Sequence, residues 1–193
     1  METPCSLSQT HFRDKPLTGR NRRLLHEWRQ MEEWLNARSD IQWSVKRTNA
    51  EGLPVCYEVE YDIHSICGVT DIERLNQPGV CNQPIYAERF KMVIDLPDAF
   101  PCIDGAPVFR FLTEDENGPI PHPWHPNIRF FGPMAGRVCL NRTDTYTDLV
   151  WGVKRIATYL TYERYHAIAE PPYPEDLQVA GWVIRQAEPN GWI

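Results

Sequence analysis

The chain has 193 residues, 42% of them apolar, and a formal net charge of −6. That length supports one domain, or one domain with an extension, with enough apolar side chains for a real core. The acidic balance argues against bulk binding of nucleic acid, which needs a basic face, and no run of about 18 apolar residues exists to span a membrane.

Met1 to Thr10 lacks a basic-then-apolar signal pattern, so a cytosolic (cytoplasmic) protein is expected. Residues 1–17 hold Pro4, Pro16 and mixed polar residues, and read as a loose lead-in to a domain spanning residues 18–193. From Arg20 to about Arg38 the pattern becomes helical. Leu24, Trp28, Met31 and Leu35 recur at steps of four, three and four, which puts them on one face. Around the start of this helix Arg13, Lys15, Arg20, Arg22, Arg23 and Arg29 stand against only Asp14 and Glu27. Such a patch is either a solvated helix face or a surface that steers an acidic partner.

Residues 41–112 read as strands. Ile41 to Val45 and Val55 to Tyr61 alternate apolar and polar side chains, as does Tyr86 to Leu96. Residues 64–84, with Gly68, Pro78, Gly79 and Pro84, read as a long connection. Pro97 to Pro101 is a turn and Pro107 to Leu112 a further strand. Short strands with tight links suggest an antiparallel meander, here of four strands. With one helix before it and two after, the class is α+β.

Residues 113–124 are acidic and then Pro-rich, and form a loop. The next stretch, His125 to Asn141, carries the chemistry. Pro126 fixes its own φ and biases His125 toward extended geometry. Gly132, Pro133 and Gly136 mark turns, so the chain should fold back and bring Asn127 toward Cys139. A thiol and a side-chain amide held together are the minimum parts for acyl transfer. The sulfur carries the acyl group and the amide N–H steadies the oxyanion. Thr147 or Asp148 then caps a helix with Leu149, Val153, Ile156 and Leu160 buried. Pro171 to Asp176 forms an extended loop, and Leu177 to about Ala187 a last helix with Val179, Val183 and Ile184 inward.

The six cysteines are Cys5, Cys56, Cys67, Cys81, Cys102 and Cys139. None forms a C-x-x-C pair, which argues against a zinc ribbon or a dithiol redox site. Those other than Cys139 are expected to be small core hydrophobes.

Four pieces in order, covering roughly residues 20–187, resemble the ubiquitin-conjugating enzymes. They are the basic amphipathic helix; Ile94 to Pro101 followed by Pro107-Val108-Phe109; His125-Pro126-Asn127-Ile128 followed by Gly136-Arg137-Val138-Cys139-Leu140-Asn141; and Glu170 to Leu177, similar to the family's acidic loop. The resemblance implies that Cys139 forms a thioester and that Asn127 stabilises the oxyanion or holds the loop that does. His125 and Pro126 would shape the turn. Asp176, or Glu175 beside it, would orient or deprotonate an incoming lysine. Arg20, Arg22, Arg23 and Arg29 would face an activating enzyme. The implied partners are a ubiquitin-like modifier, an ATP-dependent activating enzyme and a target lysine, with ligase involvement open and no metal or cofactor needed.

Some features depart from the usual pattern. The spacer between Asn127 and Cys139 is longer, the turn after Ala99 carries the extra residues Cys102 to Gly105, and no helix is expected after the third. This trimmed layout is similar to conjugating enzymes of bacterial ubiquitin-like operons, which implies a deconjugating peptidase alongside and a role in antiphage defence. Two other readings compete. One is an inactive module of the same fold that only holds a ubiquitin-like protein. The other is a cysteine hydrolase with His125 or His166 as base.

Overall fold

Leu24, Trp28, Met31 and Leu35 are each 2% exposed or less and form the buried side of helix α1 (Gly19–Leu35). The computed structural model describes residues 17, 19–102, 105–140 and 148–193. The expected lead-in lies outside these residues, apart from Leu17, which packs partly buried against the core.

Strands β1 (Ile41–Thr48), β2 (Pro54–Val69), β3 (Pro84–Asp95) and β4 (Val108–Phe111) form one antiparallel sheet in sequence order. A two-stranded ribbon, β5 (Glu114–Asp115) with β6 (Gly118–Pro119), sits inside the expected loop after it. The layout is the expected α+β meander. Strand β2 is longer than its sequence suggests, because residues 64–69 are strand rather than connection. Register shifts between Asp62 and Ser65 and between Ile66 and Gly68 are the reason. Each irregularity changes which side chains face inward, so the period-two signal that marks Val55 to Tyr61 is lost beyond them.

Helix α2 (Leu149–Leu160) begins at Asp148, whose side chain accepts the Trp151 N–H at 2.6 Å. The alternative cap, Thr147, lies outside the described residues. The expected stripe is buried, with Leu149, Val153 and Ile156 at 0% and Leu160 at 1% exposure. The Tyr61 hydroxyl donates to the Val153 carbonyl at 3.1 Å and the Ser65 hydroxyl to that of Leu160 at 2.6 Å, which fixes α2 over β2. Glu27, fully buried on α1, ties the two helices together. One of its oxygens accepts the Leu149 N–H at 2.7 Å and the other the Arg23 guanidinium at 2.6 Å. Burial pushes the Glu27 carboxyl up, against the downward pull of the Leu149 N–H and of Arg23.

The last helix is not the single element expected. Helix α3 (Leu177–Trp182) runs into a π-helical turn (Val183–Ala187) and a short α4 (Glu188–Asn190). Val179 and Val183 are buried as expected, but Ile184 is 43% exposed. The wider turn lets the Gln186 amide bond both the N–H of Asn82, at 2.7 Å, and its Oδ1, at 3.1 Å. Asn82 is fully buried and also takes the Trp182 indole N–H on its carbonyl at 2.8 Å. Val179, Trp182 and Val183, together with Ile66, Val69, Trp124 and Tyr162, build a second apolar cluster beside the main core.

The cysteine expectation needs correction. Cys56 is buried, and burial pushes its thiol up to about 11. Cys67 is half-buried, whereas Cys81 and Cys102 are exposed. Both exposed thiols sit in connections, where no packed layer covers them. Cys5 lies outside the described residues. Among the described residues, no helix is long and apolar enough to cross a membrane.

Candidate active site

The chain does fold back between Asn127 and Cys139. The Cys139 N–H donates to the Asn127 carbonyl at 2.8 Å, Ile128 pairs antiparallel with Val138, and the Arg129 N–H donates to the Arg137 carbonyl at 2.8 Å. This ribbon docks on the free edge of β4. The Phe111 N–H donates to Gly136 at 2.8 Å and the Val138 N–H to Phe109 at 3.1 Å. Gly136 sits at φ +84, and a Cβ there would lie 2.0 Å from the Phe111 carbonyl oxygen. Only glycine allows so close an approach at that φ. Cys139 is thereby half-buried at the end of an extended sheet, and its carbonyl accepts the Tyr159 hydroxyl at 3.4 Å.

Asn127 is 5% exposed. Its Oδ1 accepts the His166 main-chain N–H at 2.9 Å, so the amide NH2 is the end left to donate elsewhere. His125 is 1% exposed, with its ring stacked on Tyr159 at 4.8 Å. Its Nδ1 accepts the Asn127 N–H at 3.1 Å and its Nε2 lies 3.1 Å from the Arg164 carbonyl. The first bond requires an unprotonated Nδ1, which makes Nε2 the donor in the second. Burial, opposed by the Arg164 carbonyl, pulls the ring down to about 3. His125 therefore stays neutral, with both ring nitrogens bonded to the main chain. With both nitrogens committed it has none to activate a thiol, which removes it as the base of a hydrolase.

Asp176 departs from its expected role. It is 3% exposed, and its carboxylate accepts four main-chain N–H groups: those of Gln178 and Val179 at the start of α3, and those of Phe130 and Phe131 in the loop. Its own N–H donates to the Pro126 carbonyl at 2.9 Å. A carboxylate engaged in this way fastens α3 to the ribbon rather than facing an incoming amine. Its neighbour Glu175 is held by Arg129 at 3.3 Å.

The basic helix face is also smaller than expected. Arg20 donates to the Pro97 carbonyl at 3.3 Å and pairs with Asp98, and Arg23 pairs with Glu27. Arg22 and Arg29 are exposed, with His26 between them on the same face. Only these two of the four arginines present an outward positive surface.

A cleft of about 320 Å³ adjoins Asn127 and is walled by Arg155 and Tyr159 of α2 and by residues 163–166. Sequence reasoning weighed His166 alone from this group. The available signal was the dense run Tyr159 to His166, rich in aromatic and charged side chains, directly after a helix.

Comparison with models of known protein families gives no match, and comparison with curated proteins gives none either.

Proposed function

We propose that this protein is a carrier of the ubiquitin-conjugating type. Cys139 accepts the carboxyl-terminal acyl group of a ubiquitin-like modifier from an ATP-dependent activating enzyme and passes it to a lysine of a target. The observation that supports this reading is the main-chain pairing of Asn127 with a half-buried Cys139, which sets the two residues opposite each other in the ribbon. Thiolate attack makes the thioester. An amine then attacks its carbonyl carbon, and the amide NH2 of Asn127 is the donor for the oxyanion that develops. The exposed face of Arg22, His26 and Arg29 is the surface offered to the activating enzyme. On this reading the protein works in the cytosol, where thiols stay reduced, in a pathway of the bacterial antiphage kind that the trimmed layout resembles.

The test is incubation with an activating enzyme of such a pathway, its modifier and ATP, followed by gels with and without reductant. A reductant-sensitive adduct is expected on the native chain and none on Cys139→Ala. No adduct on the native chain, or an undiminished one on the variant, removes the carrier reading. Released free acid without an adduct would favour a hydrolase, and modifier binding without either would favour an inactive module.

Asn127 allows a sharper test. Asn127→Asp keeps an oxygen for the His166 N–H and loses the donor, whereas Asn127→Ala loses both. Both are expected to load Cys139 nearly normally and to discharge to lysine about a hundredfold more slowly. Asn127→Ala alone should also lower stability, by roughly 1–3 kcal/mol for the buried N–H left unpaired. Native discharge by Asn127→Asp would leave the amide a purely structural part.

A further inference from the structure

Lysine is scarce in this chain, with four residues, Lys15, Lys46, Lys91 and Lys154, against sixteen arginines. Between Lys91 and Lys154 there is none, although that stretch carries Arg110, Arg129, Arg137 and Arg142 and includes Cys139. Three of the four lysines are engaged away from the Cys139 ribbon. Lys46 pairs with Glu58 at 3.2 Å, Lys91 with Asp115 at 4.0 Å, and Lys154 lies over the ring of Trp34 at 3.6 Å.

The cations beside Cys139 are arginines. Ile128 and Val138 pair across the ribbon and are buried, at 0% and 9% exposure, so Arg129, Arg137 and Cys139 next to them turn to the other face. Arg137 is exposed and Cys139 half-buried, and successive residues on one face of a strand stand only about 7 Å apart. Arg110 of β4 lies directly opposite Arg137. Arg129, across the ribbon from Arg137, is held by Glu175. Like charges placed directly opposite cost stability. The positive charge is there nonetheless, and at all three positions it is guanidinium.

On the carrier reading, the loaded thioester reacts with any neutral amine held next to it. Resting on that reading, we propose that Arg137, with Arg110 and Arg129, keeps the loaded protein from acylating itself, so that the acceptor lysine must come from another molecule. In the step that is avoided, a lysine ammonium gives one proton to solvent and its lone pair forms an N–C bond to the thioester carbonyl carbon. The C–S bond breaks with its electron pair on Cys139 Sγ. The second nitrogen proton passes to that thiolate, and an amide on the protein's own chain replaces the thioester. A lysine two residues from Cys139 would gain the large advantage of proximity over any external amine. Arginine supplies the same charge without a nucleophile, because its guanidinium stays protonated and has no free lone pair to offer.

The test needs neither the natural modifier nor an activating enzyme. The full chain, with Cys5, Cys81 and Cys102 changed to serine, is acylated at Cys139 by exchange with an N-acetylglycylglycine thioester. Excess reagent is removed, the site is verified by peptide mass, and the loaded protein is kept at pH 7 to 9 with no added amine. In Arg137→Lys the thioester is expected to disappear about tenfold faster than in the parent at pH 8, with a reductant-resistant adduct at position 137. That rate should rise about tenfold per pH unit, following the neutral fraction of lysine. Arg110→Lys should form the adduct too, more slowly. Arg47→Lys, on β1 at the far edge of the sheet, should match the parent. These exchanges keep the charge, so the added amine is what they test. Arg137→Gln removes the charge without adding an amine and should also match the parent. Three results would overturn the proposal: self-acylation of the parent as fast as that of Arg137→Lys; no more adduct in Arg137→Lys and Arg110→Lys than in Arg47→Lys; or equally fast loss of the thioester in Arg137→Gln. In each of these Cys139 has loaded, and the carrier reading stands. Failure of Cys139 to acylate at all would overturn both, and is seen at the loading step.

Discussion

Gly136→Ala is expected to displace the ribbon that carries Cys139 and to lower stability by about 3–5 kcal/mol. Two costs add. An alanine at φ +84 pays about 1–2 kcal/mol for the left-handed backbone. Its Cβ would also meet the Phe111 carbonyl oxygen at 2.0 Å, and that atom belongs to strand β4 rather than to a side chain that can swing away. Relief requires the strands to part, which breaks the Phe111 N–H bond to Gly136 and the Gly136 N–H bond to Arg129, both 2.8 Å. Gly132→Ala is the control. Gly132 has a similar φ of +80 but open space around its Cβ, so it should pay the conformational cost alone. Urea unfolding of the two variants separates the contributions, and alkylation of Cys139 in folded Gly136→Ala should be faster than in the parent. If the two variants lose stability equally, the close approach to β4 is not what fixes the ribbon.

Much of the scaffold was legible because its signals are local. The helix face of Leu24, Trp28, Met31 and Leu35, the alternation in Val55 to Tyr61, and the stripe from Leu149 to Leu160 all follow from the period of the element. The approach of Asn127 to Cys139 was also legible, because His-Pro-Asn and two glycines punctuate the segment between them. What escaped was non-local. The second half of β2 hides behind irregularities that change the facing of its side chains. Arg20 and Arg23 look like surface charge in the sequence, yet they reach Pro97 and the buried Glu27 across the fold. Asp176 looks like a loop acid, and nothing near it in sequence marks Phe130 and Phe131 as the donors it serves. The bond from the His166 N–H to the Asn127 side chain likewise joins residues 39 apart, and nothing local in the sequence marks it.

Asp176→Asn decides between the two roles that this residue could have. A carboxylate offers two acceptor oxygens, and here one serves the N–H groups of Gln178 and Val179 while the other serves those of Phe130 and Phe131. Asparagine keeps one oxygen and turns an NH2 toward the other pair. Two N–H groups then lose their acceptor at a site that is 3% exposed, at roughly 1–3 kcal/mol each, so a loss of about 2–6 kcal/mol is expected. The loop side has the further bond from the Asp176 N–H to Pro126, one residue before Asn127. Loosening it should shift the amide and slow discharge to lysine and to hydroxylamine together. A residue acting as base would behave otherwise, with stability kept and only the reaction with lysine slowed. Glu175→Gln completes the comparison, because its partner Arg129 has a side chain 42% exposed and the pair is worth at most about 1 kcal/mol. An Asp176→Asn variant as stable as the parent would mean that the four N–H bonds contribute little, and the loop acid would return as the candidate for orienting or deprotonating the lysine.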